Sequence, residues 1–311
     1  MSSDFFTALE NINADYQVWR EWKLANYPKS LDSLRIKIAN PFALTDDERE
    51  KIGRCMQLAN LVVYRMDPVR YSDKEAIRAL GQQLGLVSMD GNLCADGDGI
   101  TSLQVRDDGM QRGYIPYSNK PLNWHTDGYY NTEEQQVRAI MMHCVSPAAV
   151  GGTNQYLDPE IVYILLRDKN PDWISALMQK DAMTIPPNAE GGEEIRGERS
   201  GPVFSVDTEG NLHMRYTART RSIVWKKDPA LQQALDFIGD LFRSDSAYLH
   251  THTLVAGEGI ISNNVLHNRS AFQDDPAAPR LLYRARFFQR VQSAPNGLIR
   301  NAGELKNALV E

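Results

Sequence analysis

Cysteine is scarce in this chain of 311 residues, which contains only Cys55, Cys94 and Cys144. Three scattered thiols give neither a disulfide framework nor the spacing of a zinc site, so the sequence predicts buried or idle thiols in a reducing cytoplasm. Long apolar runs are also missing. A stretch such as Ala139–Met142 is far too short to span a bilayer, which predicts a protein without a membrane-spanning segment.

Dense basic clusters are missing as well. The formal net charge is −6 and the pI is about 5.6, which gives no electrostatic footprint for a phosphate backbone and predicts no nucleic-acid partner. The N-terminal residues 1–16 carry acids and lack a basic region ahead of an apolar core, so no signal peptide is expected. The sequence therefore predicts a cytoplasmic protein, and it leaves a homo-oligomer open.

The N-terminal third mixes signals for helices and strands. Thr45 and Glu48 form a capping-box pattern ahead of apolar residues at helical spacing, and Leu61–Tyr64 is typical of a strand. Ser72 and Glu75 predict a second capping box and helix. Residues 1–100 are therefore expected to form an α/β part that packs on the core of a single domain.

From about residue 100 the pattern changes to short apolar or alternating runs between turn signals. These runs are Leu103–Arg106, Arg138–Val145, Val203–Val206, Leu212–Tyr216, Gly259–Ser262 and Leu281–Phe288. Such spacing is typical of an all-β sandwich or barrel. Helices are predicted to begin after Asp158 and after Asp228, each of which precedes a proline. The core is therefore expected over 101–290, followed by a C-terminal tail over 291–311.

The segment Pro186–Pro202 is polar and rich in glycine. This composition predicts a long surface loop. Loops of this length are often mobile lids, and an idle solvated loop is an equal alternative.

The segment NWHTDGYYN spans residues 123–131. On a strand, residues i and i+2 point to the same face, so His125 and Asp127 would present an imidazole and a carboxylate to one point. Such a pair fits a divalent metal, although a structural hydrogen bond explains many such pairs. A metal site needs a further ligand, and His267 follows a predicted strand far downstream.

Two arginines follow His267 closely, at positions 280 and 284. On a strand that starts at Arg280, the side chains of Arg280, Leu282 and Arg284 would share one face. Two arginines inside a closed barrel would be costly without anions to meet. On a solvated edge strand they would be harmless, so both interpretations stay open at this point.

The combined pattern of H-x-D, a long gap and H followed by R-x-x-x-R resembles the taurine dioxygenase-like (TauD/TfdA) family. These are Fe(II)- and 2-oxoglutarate-dependent oxygenases of the clavaminate synthase-like group. The matching pieces are WHTDG at 124–128, GGTN at 151–154 and HNRSAF…RLLYR within 267–284, and the segment 201–220 resembles the γ-butyrobetaine hydroxylase branch. The resemblance covers roughly 100–290 and implies a mostly β fold with flanking helices and a double-stranded β-helix (jelly-roll, cupin-like) core.

The resemblance implies that His125, Asp127 and His267 bind Fe(II), leaving positions for 2-oxoglutarate and O2. By its place after His267, Arg280 matches the family arginine that holds the C5 carboxylate of 2-oxoglutarate. The family usually pairs this arginine with a hydroxyl that follows two glycines. Here GGTN replaces the commoner GGDT, so Thr153 and Asn154 are both left as candidates for this contact.

The resemblance also places Arg284 near an acidic group of the primary substrate, with a structural role as an even alternative. Further candidates for substrate contacts surround the first two metal ligands: Tyr117, Tyr129, Tyr130 and Asn131. Aromatic rings can cage a quaternary ammonium group, although packing explains them more often. The expected substrate is a small polar molecule that is amino-acid-like, betaine-like or sulfonate-like.

The implied function is hydroxylation of an unactivated C–H bond, with release of succinate and CO2. Asp127 supports hydroxylation, because halogenating relatives carry a small residue at that position. The same iron site also serves desaturation, cyclisation or epimerisation, which differ in the placement of the substrate. A zinc-dependent hydrolase with the same triad is an alternative that has no need of the two arginines. A non-catalytic barrel that binds a small ligand is a third.

Overall fold

The computed structural model describes residues 5–7, 9, 14–91, 97–106, 114–190 and 193–292. Its α-helices are α1 Ala14–Asn26, α2 Asp46–Ala59, α3 Lys74–Gln83, α4 Pro159–Lys169, α5 Pro171–Leu177 and α6 Pro229–Arg243. Its strands are β1 Arg35–Lys37, β2 Leu61–Arg65, β3 Thr101–Leu103, β4 Leu122–His125, β5 Ala139–Ser146, β6 Val150–Gly151, β7 Asn154–Leu157, β8 Met183–Ile185, β9 Asn188–Glu190, β10 Glu193–Arg196, β11 Arg199–Gly201, β12 Phe204–Val206, β13 Leu212–Met214, β14 Val224–Trp225, β15 His250–His252, β16 Glu258–Ser262, β17 Leu266–Arg269, β18 Phe272–Gln273 and β19 Leu281–Phe287.

Two main sheets form the body of the described structure. The larger of the two has six strands in the order β1-β2-β16-β5-β19-β3. β1 and β2 are parallel, and the other neighbours are antiparallel. The central strand β16 is buried along its whole length, and β5 is buried from Ala139 to Cys144. Continuous burial requires cover on both faces, and α2 packs on β2 while α3 lies against β5.

The smaller sheet has four antiparallel strands in the order β15-β7-β17-β4. Its register places His250, Tyr156, His267 and His125 directly opposite one another on successive strands. Residues that are paired in this way project from the same face of a sheet. The register alone therefore brings two of the predicted metal ligands, which are far apart in the chain, side by side.

The helix starts are largely as predicted. Thr45 and Glu48 form the expected capping box, in which the Thr45 hydroxyl accepts from the Glu48 backbone at 3.2 Å. The predicted box at Ser72 is wrong, because the N-cap of α3 is Asp73, whose carboxylate accepts from Ala76 N at 2.9 Å. α4 and α6 begin as predicted, each with an aspartate at the N-cap and a proline in the first turn.

Two predictions about strands need correction. The sequence predicts a strand over Leu103–Arg106, but the strand in the structure, β3, begins at Thr101 and ends at Leu103. The segment Pro186–Pro202 is not one long loop, because β9 and β10 form an antiparallel pair and β11 pairs with β8. Small edge strands need only backbone pairing, so their polar, glycine-rich sequence resembles that of a loop.

The described part of the chain thus combines antiparallel sheets with helices. None of the helices described here is long and apolar enough to cross a membrane.

Candidate active site

The three predicted metal ligands meet in the structure. His125 and His267 lie opposite each other on β4 and β17, and their ring centroids are 4.3 Å apart. Asp127 lies just beyond the end of β4, and its Oδ1 is 3.6 Å from His125 Nε2. One ligand atom from each residue lies within 4.8 Å of the others, and all three residues are buried. Two nitrogens and one oxygen therefore converge as a set that can hold a divalent metal.

Both histidines are oriented by backbone carbonyls. His125 Nδ1 is 2.8 Å from Asn123 O, and His267 Nδ1 is 2.9 Å from Val265 O. A hydrogen bond donated by Nδ1 fixes the tautomer and leaves Nε2 as the ligand atom. Burial, together with the nearby His125, lowers the pKa of His267 to about 4. Its imidazole is therefore neutral at physiological pH, which is the form that binds metals.

Asp127 is held in a turn rather than on a strand, so the alternation predicted for His125 and Asp127 does not apply beyond residue 125. Gly128 follows with φ +70°, and a Cβ there would lie 2.5 Å from Val137 Cγ2. Glycine is therefore required at the end of WHTDG. Asn264 fixes the turn from the other side, because its amide accepts from Asp127 N at 2.8 Å and donates to Asp127 O at 2.9 Å.

Asn264 was not predicted from the sequence, and its position also has a left-handed backbone with φ 53°. We expect Asn264→Gly, which tolerates this backbone, to weaken metal binding about 10-fold to 100-fold, because outer contacts orient the ligand carboxylate. Anaerobic calorimetry with Fe(II) measures the change. Asn268→Ala is the matched control, since Asn268 lies next to His267 but bonds Gln155. Equal metal affinity in both variants would refute the role of Asn264.

The charge of Asp127 is balanced by Arg284. Arg284 Nη1 donates to Asp127 Oδ1 at 3.3 Å. Burial by itself would raise the pKa of Asp127, but the guanidinium of Arg284 and the neighbouring His125 hold it well below its usual range. Asp127 Oδ2 is buried and has no hydrogen-bond partner within the described part of the chain. The carboxylate is thus ionised and retains one oxygen for a further ligand.

Arg280 lines a small cleft. β19 begins at Leu281 with a register shift before Leu282, so Arg280 lies just outside the strand that was predicted to contain it. Its backbone N–H donates to Asp274 Oδ1 at 3.0 Å. Its buried guanidinium lies 4.8 Å from the ring centroid of Phe272, and no carboxylate among the described residues pairs with it. This cation can accept an anionic ligand in the cleft.

The glycine pair of GGTN forms one wall of the cleft with Asn154, Thr253, Leu254 and Leu282. Asn154 is buried there, and its Nδ2 donates to Gly152 O at 3.3 Å. The Thr153 hydroxyl bonds the Thr253 hydroxyl at 2.7 Å instead. Of the two alternatives left open by the sequence, the structure places Asn154 in the cleft lining.

Tyr156 is a residue that sequence reasoning missed. It lies on β7 opposite His267, and its hydroxyl is buried without a hydrogen-bond partner in the part of the chain that the structure describes. Burial raises the pKa of Tyr156 well above its usual value, and the charge of Arg280 acts in the opposite direction. Its phenol is therefore a neutral donor near Arg280. Strand β7 was absent from the predicted strands, so no signal pointed to this residue.

Tyr129 and Tyr130 follow Asp127 closely in the chain. Their rings meet edge to face, with centroids 5.2 Å apart. The Tyr129 hydroxyl accepts from Arg219 Nη1 at 2.9 Å, and the Tyr130 hydroxyl accepts from Arg286 Nη1 at 2.7 Å. Arg286 was also missed, although its alternation with Arg284 along β19 was visible in the sequence as R-A-R.

The remaining candidates are held by other contacts. Asn131 Nδ2 donates to Gln135 O at 2.9 Å and to Asp90 Oδ2 at 3.2 Å, so its amide supports the turn after the tyrosines. Tyr117 is buried at the end of a short 3-10 turn, Ile115–Tyr117. His143 is buried in the core, and it stacks on the ring of Tyr64.

The chain is similar in sequence to a family of dioxygenases and to two named members of that class. Residues 24–286 match the sequence model of a family described as taurine catabolism dioxygenase TauD, TfdA family. A uridine-5'-phosphate dioxygenase from Amycolatopsis sp is 30% identical over 168 residues, which cover 52% of this chain and 59% of that protein. A protein of the same name from Streptomyces sp is 29% identical over 198 residues, covering 62% of this chain and 71% of that protein. The chain thus spans less than two thirds of the length of the Amycolatopsis relative.

Solved structures also resemble this one. The non-heme iron oxygenase OrfP, crystallised with Fe, succinate and (3R,4R)-dihydroxy-L-Arg, matches with a TM-score of 0.59 and 15% sequence identity. The match covers 89% of this chain and 92% of OrfP. At this level of identity the likeness shows a shared fold.

Proposed function

Because the chain belongs to the TauD/TfdA family of taurine catabolism dioxygenases, we propose that it is an Fe(II)- and 2-oxoglutarate-dependent dioxygenase. It hydroxylates an unactivated C–H bond of a small polar substrate. The balanced reaction converts substrate, O2 and 2-oxoglutarate into hydroxylated substrate, succinate and CO2. The observation that carries the proposal is the convergence of His125, Asp127 and His267, together with the buried guanidinium of Arg280. In this proposal the two main sheets form the double-stranded β-helix core of a single domain.

The residues present fit the metal. Two imidazoles and one carboxylate suit Fe(II), and this set leaves coordination positions for other ligands. The unpartnered oxygen of Asp127 supports this assignment, because a buried carboxylate oxygen without a partner is costly. When bound, Fe(II) and 2-oxoglutarate would together supply the electrons that reduce and activate O2. The chain itself would hold Fe(II) and 2-oxoglutarate in one orientation, and the burial of the site would keep water away.

The residues present also fit 2-oxoglutarate. The C5 carboxylate would bind the guanidinium of Arg280, which is charged and can donate two parallel hydrogen bonds. Asn154 from the cleft wall and the hydroxyl of Tyr156 would complete the contact. Both residues lie on one face of β7, which is also the face from which His267 projects on the neighbouring strand β17. In this arrangement Tyr156 gains the partner that its buried hydroxyl lacks within the described chain.

We expect Tyr156→Phe to weaken 2-oxoglutarate binding about 10-fold or more, because a hydrogen bond to a charged group contributes roughly 1.5–3 kcal/mol. Equilibrium dialysis of labelled 2-oxoglutarate against anaerobic Fe(II)-loaded protein measures the effect. Tyr64→Phe is the matched control, because Tyr64 is equally buried but bonds His143 at 3.2 Å. A Tyr156→Phe protein that binds 2-oxoglutarate as tightly as the wild type would remove Tyr156 from the site.

The substrate would lie on the side of the centre that carries Arg284, Tyr129 and Tyr130. Amino-acid-like, betaine-like and sulfonate-like molecules remain candidates. Nucleoside 5'-phosphates are further candidates, because the chain resembles two uridine-5'-phosphate dioxygenases. The alternative of a zinc hydrolase leaves the buried cation of Arg280 unexplained.

The test is turnover. We expect the protein with Fe(II), O2 and 2-oxoglutarate to form succinate, with a faster rate when its substrate is present. A panel that includes UMP, asparagine, arginine, taurine and betaines would identify the substrate class, with products detected by mass spectrometry. His125→Ala should lose all succinate formation. Succinate that forms equally well without O2 or without the metal would disprove the dioxygenase assignment.

A further inference from the structure

Four side chains form a second group next to the proposed metal centre. We call this group the arginine–tyrosine cluster, and it consists of Arg196, Arg219, Tyr129 and Tyr130. Arg219 Nη1 donates to the Tyr129 hydroxyl at 2.9 Å, and Arg196 Cζ lies 5.8 Å from the Tyr130 ring centroid. Arg196 ends the hairpin strand β10, whereas Arg219 follows β13. Three separate parts of the chain therefore bring cations and phenols together.

The cations of the cluster repel one another. Burial lowers the pKa of Arg196, and the positive charges of Arg199 and Arg219 lower it further. Arg196 Nη2 donates to Pro186 O at 2.9 Å, but Nη1 is buried with no hydrogen-bond partner among the described residues. Among the side chains that the structure describes, no carboxylate pairs with Arg196 or Arg219. A buried guanidinium donor without a partner, such as Nη1 of Arg196, is costly, and an anion bound between the two cations would remove that cost.

A neighbouring arginine shows the contrast. Arg215 is also close to Tyr129, but its guanidinium donates to four backbone carbonyls, namely those of Tyr129, Met183, Arg199 and Gly201. Its donors are used in holding β8 and β11 to the turn that carries Tyr129. Arg196 uses one nitrogen on a backbone carbonyl and Arg219 uses one on the Tyr129 hydroxyl. The unpaired Nη1 of Arg196 and the remaining donors of the exposed Arg219 therefore point to ligand binding rather than to support of the fold.

The cluster borders the proposed active site directly. Tyr129 and Tyr130 are the second and third residues after Asp127. The Tyr130 hydroxyl accepts from Arg286, two residues along β19 from the Arg284 that contacts Asp127. Arg219 is exposed, so the cluster is open to solvent at one end. A ligand held by the cluster would therefore extend from solvent toward the metal ligands.

We infer that the arginine–tyrosine cluster binds a phosphomonoester group of the substrate, outside the position where the reacting C–H bond must lie. A phosphomonoester is close to a dianion at neutral pH, so it balances two guanidinium groups, which a carboxylate or sulfonate does not. Its terminal oxygens can accept from two arginine forks and from the Tyr129 hydroxyl. The inference rests on the proposed function for the nature of the reaction, but the anion site has its own test.

The test measures binding rather than turnover. Calorimetry on the full chain compares UMP, ribose 5-phosphate, inorganic phosphate, uridine and taurine as probes. We expect UMP to bind, uridine and taurine to bind at least tenfold more weakly, and higher salt to weaken UMP binding. If UMP binds more tightly than ribose 5-phosphate, the preferred ligand is a nucleotide. If the two affinities are equal, the site accepts sugar phosphates in general. Both results support the phosphate site, whereas taurine or uridine binding as tightly as UMP overturns it.

Variants locate the site. We expect Arg196→Gln and Arg219→Gln each to weaken UMP binding about tenfold or more, and Tyr129→Phe to weaken it less. Arg243→Gln is the control, because Arg243 is an exposed arginine on α6 that pairs with Asp240. Binding of Fe(II) and 2-oxoglutarate should be unchanged in all four variants, which also shows that they fold. UMP binding that survives in the double variant Arg196→Gln/Arg219→Gln overturns the inference.

Failure of the inference and failure of the proposed function give different results. If only the inference about the phosphate site is wrong, Fe(II) and 2-oxoglutarate still bind but no phosphorylated probe binds. Failure of the dioxygenase assignment alone removes succinate formation while UMP still binds through Arg196 and Arg219.

Discussion

Replacing Arg280 with alanine is expected to abolish useful binding of 2-oxoglutarate while Fe(II) still binds. The guanidinium is buried in the cleft beside Asn154. The charge of Asp274 acts on it, but no carboxylate of the described chain forms an ion pair with it. Loss of one partner of a buried charge pair costs about 2–5 kcal/mol, which corresponds to an increase in Kd of roughly 30-fold to several thousand-fold. Equilibrium dialysis with the anaerobic Fe(II)-loaded protein would measure this increase.

Two further variants sharpen this result. Arg280→Lys should recover part of the affinity, because lysine keeps the charge but lacks the planar fork. Arg243→Ala should change nothing, because the side chain of Arg243 is 73% exposed and pairs with the exposed Asp240 on α6. A Kd for 2-oxoglutarate that stays the same in Arg280→Ala would contradict the assignment of the cleft and would favour the hydrolase.

Replacing His267 with alanine is expected to remove Fe(II) binding, and with it all activity. The triad has three protein ligands, and His267 supplies one of its two nitrogens from the strand opposite His125. With only His125 and Asp127 left, the site loses the geometry that holds the metal, and we expect the Fe(II) affinity to fall at least about 100-fold. Anaerobic calorimetry and the metal content of the purified protein measure the loss.

The matched control for His267→Ala is His252→Gln. His252 lies on the same four-stranded sheet, but its Nε2 bonds Glu258 Oε2 at 2.8 Å, a contact that glutamine can replace. We expect this variant to bind Fe(II) like the wild type. If His267→Ala keeps wild-type affinity for Fe(II) and folds normally, the metal is bound elsewhere and the proposed centre is wrong.

The convergence of His125, Asp127 and His267 could be predicted from the sequence because their spacing is itself a signal. H-x-D followed far downstream by H and two arginines is a specific combination, and the sheet register then places His125 beside His267. Even so, the local geometry differed from expectation. Asp127 reaches the centre through a turn that depends on Gly128, not through strand alternation.

Other parts of the site could not be predicted because they depend on contacts between distant strands. Tyr156 becomes relevant only when β7 pairs with β17, and Asn264 only when its amide meets the backbone of Asp127. Neither residue belongs to a local pattern with a characteristic spacing. The hairpin that carries Arg196 was hidden for another reason, since its polar composition is that of a loop while its backbone pairs as a strand.

The most direct test of the central claim is to add Fe(II) and 2-oxoglutarate to the metal-free protein under anaerobic conditions and to record its visible spectrum. A 2-oxo acid chelated to Fe(II) gives a weak charge-transfer band in this region. The account predicts that the band forms in the wild type, fails to form in His267→Ala, and is lost or weakened in Arg280→Ala. No band in the wild type, together with tight binding of zinc, would contradict the account and would favour a zinc-dependent hydrolase.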